Sequence, residues 1–374
     1  MSFTKIDTEF MEQAVQLAKH GRFSVTGNPM VGCVLVQENK IIGKGFHEEA
    51  GSNHAEINAI NNAKNKGFLI KGATVYVTLE PCAHFGKTGP CVDALIHEGV
   101  GEVIIGSLDR NPLVSGKGVA KLTAKGIGVR SGCLESKCID LNKGFFKRIQ
   151  TGSPYVIVKS AMSLDGRLAM NNGESKWITG ELSRRDVHVL RGSSDAIITG
   201  IGTILSDNPQ LNSRISSERI KNNAIKLKQP LRVILDAKLE IPITSNVCNV
   251  DGKLIIFCVE GFYSQKKYKD LTDIGIEVIC LNNSYNSRVD IKEVLHFLAN
   301  RDLNYIMVEA GSKVTTDFIS RKLIDEMHIY IAPILMGSTA QPLFNVELEH
   351  ITEKSQFKFK SVDKIGKDIK IILK

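Results

Sequence analysis

Apolar positions along this chain switch between two periods, and the alternation lays out an α/β architecture. Phe10, Ala14, Leu17 and Ala18 recur at helical spacing and predict a helix over 7–20, ended by Gly21. The runs 31–36 and 41–46 read as two strands around the polar turn 37–40. A helix then begins near His54 and carries Ile57, Ala59, Ile60 and Ala63. The apolar run 73–79 is a buried strand that delivers Pro81-Cys82 at its C-terminal end. Pro90 opens a further helix through Val92, Ala94, Leu95 and Ile96, which Gly99 terminates, and 102–106 is the next strand. This order predicts a three-layer α/β domain ending around 145–150. There Lys147, Arg148 and Thr151-Gly152-Ser153-Pro154 make a linker-like passage.

A second series starts with a strand at 155–160. Strand-like runs at 195–200, 231–236, 253–258, 276–280, 304–309 and 327–332 alternate with helical patterns at 180–191, 290–300 and 314–322. They predict a second α/β domain with a largely parallel sheet, closed by an antiparallel ending at 357–360 and 369–373. The expected domains are 1–148 and 153–374, as a chain of 374 residues exceeds what one core usually supports.

Composition, 43% apolar and 24% charged, is that of a soluble globular protein. No apolar stretch approaches the roughly 18 residues needed to span a bilayer. The N-terminal stretch carries Asp7, Glu9 and Glu12 and does not read as a signal peptide. Eight cysteines show no disulfide rhythm; Cys33, Cys258 and Cys280 read as buried free thiols, and a cytoplasmic location is expected. The net charge of +8 is spread singly, so neither a nucleic-acid arm nor a membrane anchor is expected. Such a balance suits a phosphorylated small molecule and a dinucleotide. A homo-oligomer is the expected assembly.

The first domain carries the sharpest chemistry. His54-Ala55-Glu56 is followed by Pro81-Cys82 and Pro90-Cys91. One imidazole and two thiolates make three bonds to Zn²⁺ and leave its fourth position open to water, as in catalytic sites; structural zinc is closed by four protein ligands. Glu56 lies close enough to carry protons without being a ligand, and H-x-E with Pro-Cys is the signature of zinc nucleobase deaminases. The expected ligands are His54, Cys82 and Cys91, with Glu56 as general acid and base in a hydrolytic deamination. Eight residues separate the cysteines where the general pattern has two. A structural zinc would take a fourth ligand, for which His84 is placed. Asn28-Pro29 either holds a polar edge of the substrate or forms a turn. The loop 83–89, with His84 and Lys87, either reaches a phosphate or ribose or is plain surface. A nucleic-acid deaminase would want stacking aromatics near the zinc, yet the first domain has no tryptophan and one tyrosine, Tyr76, inside a strand.

The second domain lacks the G-x-G-x-x-G fingerprint: after Gly200-Ile201-Gly202, Leu205 stands at the third glycine position. Another phosphate cradle is visible where the strand at 304–309 runs into Ala310-Gly311-Ser312-Lys313 and a helix carrying Thr315 and Thr316. Trp177, the only tryptophan, lies in the polar stretch 174–179, either covering a cofactor or sitting on the surface. Asp165-Gly166 reads as a tight turn.

Together these segments resemble the bifunctional deaminase/reductase family of riboflavin biosynthesis over nearly the whole chain. The resemblance rests on Asn28-Pro29-Met30-Val31-Gly32-Cys33, His54-Ala55-Glu56, and Thr78-Leu79-Glu80-Pro81-Cys82 with Cys91 in the first domain. In the second it rests on Ser163-Leu164-Asp165-Gly166-Arg167, Glu174-Ser175-Lys176-Trp177-Ile178-Thr179, Val308-Glu309-Ala310-Gly311 and Ile331-Ala332-Pro333. It implies a cytidine-deaminase-like domain that deaminates 2,5-diamino-6-(5-phosphoribosylamino)pyrimidinone. It implies a second, dihydrofolate-reductase-like domain that reduces the ribosyl group to ribityl with NADPH. Cofactor contacts are implied at Ala161, Trp177, Thr203, Asp207, Gly311, Ser312, Lys313, Val314, Thr315, Thr316 and Asp317. Substrate contacts are implied at Ser175, Arg191, Leu211, Arg214 and Glu309, the arginines suiting a phosphate and Glu309 the ribose hydroxyls. Lys159 is a candidate proton donor or ring contact. Ala237 stands where relatives carry Ser, so a cofactor hydroxyl contact there is in doubt.

Overall fold

The structure is a computed structural model that describes residues 2–84, 89–111, 114–175, 177–215, 227–282, 284–285 and 287–374. The chain divides into two compact units, one built on Met1–Ser153 and the other on Pro154–Ser216 and Gln229–Lys374.

The first unit runs α1 (Lys5–Ala18), β1 (Gly32–Gln37), β2 (Lys40–Phe46), α2 (Ala55–Asn65), β3 (Thr74–Leu79), α3 (Cys91–His97), β4 (Glu102–Ser107), α4 (Lys117–Ala124), β5 (Gly128–Ser131), α5 (Glu135–Leu141) and α6 (Lys143–Thr151). The helix α1 starts earlier than apolar spacing alone predicts, because Thr4 and Asp7 form a reciprocal capping box. The strands form one sheet in the order β2-β1-β3-β4-β5, with β1 antiparallel to both neighbours and the other pairs parallel. Phe10, Met11, Ala14 and Val15 of α1 pack with Cys138 and Leu141 of α5 against one face. Ala59, Ile60 and Ala63 of α2, Val92 and Leu95 of α3 and Leu122 of α4 cover the other. These are the three expected layers. The approach of α2 to the sheet is unusually close: a Cβ on Gly45 would lie 2.3 Å from the Ala55 carbonyl oxygen. That contact seats the start of α2, and with it His54, against β2.

The linker-like passage 147–154 is in part regular structure: Lys147 to Thr151 end α6, whose Phe146 is buried, and Gly152, at φ 66°, ends the helix in the left-handed region, while the two units divide between Ser153 and Pro154. Half-buried charged residues near a helix end, followed by Gly, Ser and Pro, look like a linker when only composition is read.

The second unit runs β6 (Tyr155–Ser163), β7 (Arg167–Ala169), α7 (Glu181–Gly192), β8 (Ala196–Gly200), α8 (Ile201–Asp207), β9 (Leu231–Leu235), β10 (Leu254–Val259), α9 (Gln265–Asp273), β11 (Glu277–Leu281), β12 (Ser284–Tyr285), β13 (Arg288–Val289), α10 (Ile291–Asn300), β14 (Tyr305–Val308), α11 (Ser312–Ser320), β15 (Glu326–Ala332), β16 (Gln341–Pro342), β17 (Phe359–Ile365) and β18 (Asp368–Leu373). Nine strands form a sheet in the order β11-β10-β9-β8-β14-β6-β15-β18-β17. The pairs from β11 to β15 are parallel, and β18 and β17 close the sheet antiparallel. Its central strands are apolar on both faces, as a helix-covered parallel sheet requires. Val294, Leu295 and Leu298 of α10 and Phe318 of α11 pack on one side. Val187 and Leu190 of α7, Ile204 of α8 and Leu271 of α9 pack on the other. Asp165-Gly166 is a turn between β6 and β7, with Gly166 at φ 75°.

Candidate active sites

In the first unit, His54 is the N-cap of α2, Cys82 follows the C-terminal end of β3, and Cys91 is the first residue of α3 behind the N-cap Pro90. Two helix starts and a strand end thus converge. His54 Nδ1 lies 3.2 Å from Cys91 Sγ and 3.5 Å from Cys82 Sγ, and the Cys91 amide donates to Cys82 Sγ at 3.3 Å. The three ligand atoms all fall within 4.8 Å of one another, and no fourth His, Cys, Asp or Glu joins them among the described residues. His84, the candidate for a closing ligand, is outside the cluster. Lys87 and Lys176 fall outside the described residues.

The donor set fits a zinc ion. The Cys91 thiol beside it and then His54 pull Cys82 down against burial, while Cys91, beside Cys82 and buried, is pushed up. Two sulfurs within reach of one imidazole suit a divalent cation, which deprotonates a coordinated thiol outright. Burial raises Glu56 to about 7, aided by the negative charge of Cys82, and its carboxyl hydrogen-bonds Cys91. An acid buried to 3% exposure beside three ligands is where a proton carrier belongs.

Asn28 belongs to the same site. Its Nδ2 lies 3.3 Å from Nε2 of His47, whose Nδ1 is 3.2 Å from the Asn53 carbonyl and whose ring stands edge-on to His54 at 5.4 Å. The sequence reading missed His47, because a lone histidine at a strand end carries no pattern. Glu80 was read only as part of a motif, yet its buried carboxylate accepts four backbone N–H groups. Oε1 takes those of Gly118 and Val119 at 3.0 and 3.3 Å, and Oε2 those of Asp109 and Gly116 at 3.2 and 3.1 Å. Glu80 thereby ties the segment carrying Cys82 to the start of α4. The fit there is tight: a Cβ on Gly118 would meet the Pro81 carbonyl oxygen at 2.4 Å.

In the second unit, a cavity of about 1090 Å³ lies where β6, β8, β9 and β14 end in loops. It is lined by Ala161, Ser175, Trp177, Arg191, Thr203, Asp207, Leu211, Arg214, Glu309, Gly311, Ser312, Lys313, Val314 and Asp317. Thr315 and Thr316 are not in the lining. Thr315 is buried with its hydroxyl on the Ala310 carbonyl, and Thr316 Oγ1 accepts the Asn345 amide. They share a helix face with Ser312 but lie one turn further along α11, where their hydroxyls are taken by protein groups.

At the cavity's floor Arg191 grips Glu309 with two bonds, Nε–Oε2 at 2.8 Å and Nη2–Oε1 at 3.0 Å, and Lys159 Nζ reaches Oε1 at 3.1 Å. Burial alone would raise Glu309, but Arg191 and then Lys159 hold it well below the carboxylate range. Arg191 spends Nη1 on the Asn212 carbonyl at 3.2 Å. Three of its five N–H donors thus bond protein groups, whereas Arg214 is exposed beside Gln210, Asn212 and His188. His188 reads from sequence as an ordinary core or surface residue, but it lines the cavity. Burial, Arg191 and Arg214 lower it to about 4, so its ring is neutral near pH 7. Trp177 is 72% exposed at the rim with the Arg184 guanidinium 4.5 Å over its ring, and Ser175 donates to Asp207 at 3.0 Å. Ala237 also lines the cavity.

Comparison with known proteins accords with both sites. The family model of the cytidine and deoxycytidylate deaminase zinc-binding region matches residues 4–107, and that of the RibD C-terminal domain matches 154–371. The riboflavin biosynthesis protein RibD of Escherichia coli (strain K12) is 39% identical, with 97% of this chain and 98% of the relative covered. RibD of Buchnera aphidicola subsp. Baizongia pistaciae is 42% identical over 98% of each chain. The solved structure of Acinetobacter baumannii RibD, form 1, matches with a TM-score of 0.89 at 40% identity over 99% of this chain and 98% of that one. A structure from Thermotoga maritima, a diaminohydroxyphosphoribosylaminopyrimidine deaminase/5-amino-6-(5-phosphoribosylamino)uracil reductase, matches at 0.85 and 34% identity over 98% of both. The fold is thus a cytidine-deaminase-like unit followed by a dihydrofolate-reductase-like one, and no described helix is long and apolar enough to cross a membrane. The chain belongs to the RibD family and is a bifunctional enzyme of riboflavin biosynthesis, a deaminase and a reductase in one polypeptide.

Proposed function

We propose that residues 1–148 deaminate 2,5-diamino-6-(5-phosphoribosylamino)pyrimidin-4(3H)-one, and that residues 153–374 then reduce the ribosyl group with NADPH to give 5-amino-6-(5-phosphoribitylamino)uracil. The observation that carries the first half is the convergence of His54 Nδ1, Cys82 Sγ and Cys91 Sγ beside the buried Glu56 carboxyl. These three residues would hold zinc, which supplies Lewis acidity and water activated near neutral pH. Glu56 takes one proton as water adds to the ring carbon bearing the amine and delivers it to the ring nitrogen; it then takes the remaining proton of the added hydroxyl and gives it to the amine, which leaves as ammonia while the carbonyl forms. Asn28 and His47 present amide and imidazole edges that can orient the pyrimidine.

NADPH supplies the reducing equivalent in the second half. Trp177, Thr203, Asp207, Ala161 and the turn Gly311 to Asp317 form its side of the cavity, Ser312 and Lys313 meeting phosphate through backbone amides and charge. Thr315 and Thr316 act within that turn by shaping it, since their hydroxyls are used inside the protein. Glu309, kept ionised, accepts hydrogen bonds from ribose hydroxyls, and Arg191 and Lys159 fix it in place. Ser175, Leu211 and Arg214 complete the substrate side, with the exposed Arg214 guanidinium suited to the phosphate. The product of the first reaction is the substrate of the second. The enzyme works in the cytoplasm as a homo-oligomer, without nucleic acid or membrane; sedimentation as a single 41.1 kDa species would exclude the oligomer.

The test is an assay of the zinc-loaded protein with the diamino substrate, following ammonia and then NADPH absorbance. Ammonia should appear before absorbance falls, and NADPH should be consumed only once deaminated product is present. Absorbance loss without ammonia release would refute the order.

A further inference from the structure

Three free cysteines lie away from the active sites in the sheet of the second unit or its loops: Cys248, Cys258 and Cys280. The parallel pairing of β10 and β11 places Cys258 and Cys280 directly opposite each other, so both side chains leave the same face of the sheet. Their sulfurs are 3.0 Å apart. The Tyr263 hydroxyl lies 2.9 Å from Cys280 Sγ and 3.2 Å from a Glu260 carboxylate oxygen. Cys258 is fully buried, whereas Cys280 sits on the sheet's edge strand and is partly exposed, which corrects its reading as a buried thiol. A partly exposed cysteine therefore has a buried one within 3.0 Å of its sulfur.

We propose that Cys258 and Cys280 are a reversible dithiol–disulfide site that takes small-molecule disulfides as oxidant, with Cys280 the attacking sulfur and Cys258 the resolving one. Burial, and then its hydrogen bond to Cys280, hold the Cys258 thiol well up in pKa, so it keeps its proton and donates it toward Cys280. The Tyr263 hydroxyl donates to Glu260 and lies 2.9 Å from Cys280 Sγ, and Cys280, on the edge strand and partly exposed, is the member of the pair that an oxidant in solution can reach. In the first step the Cys280 thiolate forms a bond to one sulfur of the disulfide and expels the other as a thiolate. In the second, Cys258 gives its proton to solvent and attacks Cys280 Sγ, expelling the remaining thiolate. Two protein thiols lose two electrons and two protons in total, and the small disulfide leaves as two thiols. Adjacent strands stand about 4.7–4.9 Å apart, while a relaxed disulfide prefers Cβ atoms about 3.5–4.5 Å apart. Closure therefore draws β10 and β11 together, and the resulting strain makes the bond easy to reduce again.

The experiment treats zinc-loaded full-length protein with oxidised glutathione and maps the cysteine-containing peptides without reduction. Cys248 is partly exposed, with its thiol 3.9 Å from the Pro242 carbonyl, and it serves as the internal reporter that the oxidant has reacted. When Cys248 carries glutathione, the wild type should show Cys258 linked to Cys280 with no glutathione retained on either. Dithiothreitol should reopen that link. Cys258→Ser should stop with glutathione on Cys280, and Cys280→Ser should leave Cys258 unmodified. Free thiols at both positions once Cys248 has reacted, or a wild type that stops at the Cys280 adduct, would overturn the proposal.

Discussion

Replacing Glu80 by Gln isolates how the zinc site is held, because the change keeps the side chain's size and removes half of its acceptor capacity. In the wild type each carboxylate oxygen accepts two backbone N–H groups. The amide nitrogen of glutamine would face two of those donors, leaving them unpaired at a position only 4% exposed. Hydrogen bonds to a charged group are worth about 1.5–3 kcal/mol each, so two lost bonds cost about 3–6 kcal/mol. For a unit of this size that lowers the unfolding midpoint by at least about 6 °C. The assay heats zinc-loaded protein with a chromogenic chelator and records the temperature of zinc release. Trp177, the sole tryptophan, lies in the other unit, so its fluorescence follows that unit independently. Zinc release should move to lower temperature while the tryptophan transition stays in place. A zinc-release midpoint shifted by less than the equivalent of about 0.5 kcal/mol, the range of an ordinary surface change, would refute the reasoning.

Glu56→Gln should keep one zinc per chain by metal analysis yet slow ammonia release by about 10²–10⁴, the usual worth of a positioned acid–base group; unchanged turnover would eliminate the deaminase mechanism. Glu309→Ala leaves the half-buried Arg191 and Lys159 without their counter-charge, so urea unfolding of the second unit, followed by Trp177, should show a loss of about 1–3 kcal/mol. Arg214→Ala should raise KM for the phosphorylated substrate more than that for NADPH, as separate steady-state titrations would show. Acid stability of the first unit should depend on Asp7. Burial there is outweighed by bonds from Arg130, Thr4 and Tyr76, which lower it from 3.8 to about 2. A depressed carboxylate contributes stability that is present above its unfolded pKa and is lost as pH falls through 3.8 toward about 2. Unfolding of the wild type and of Asp7→Asn should therefore differ by about 2 kcal/mol at pH 5, with the difference shrinking across that window.

Order and type of the main elements were legible because they rest on local periodicity. The apolar runs at 253–258, 304–309 and 327–332 fall within a residue of β10, β14 and β15. Elements whose apolar faces are narrow, such as α8 and α9 with one buried residue each, left no comparable trace. The same limit made the end of α6 look like a linker, since only Gly144 and Phe146 of that helix are buried.

The chemistry of the first site was carried by short motifs: residue type and spacing in His54-Ala55-Glu56, Pro81-Cys82 and Pro90-Cys91 suffice to name a ligand set and a proton carrier, because each occurs at the end of a regular element. Tertiary structure alone decided how charges are shared. Lys159, Arg191 and Glu309 meet although 150 and 118 positions separate the first two from the third, and their pairing turns an arginine suited to a phosphate into a clamp on a carboxylate. Glu80's four partners, the His47–Asn28 contact and the opposed sulfurs of Cys258 and Cys280 likewise depend on strand register and loop path. Local sequence sets which residue types an element presents; only the packing of distant elements sets which of them come within bonding distance.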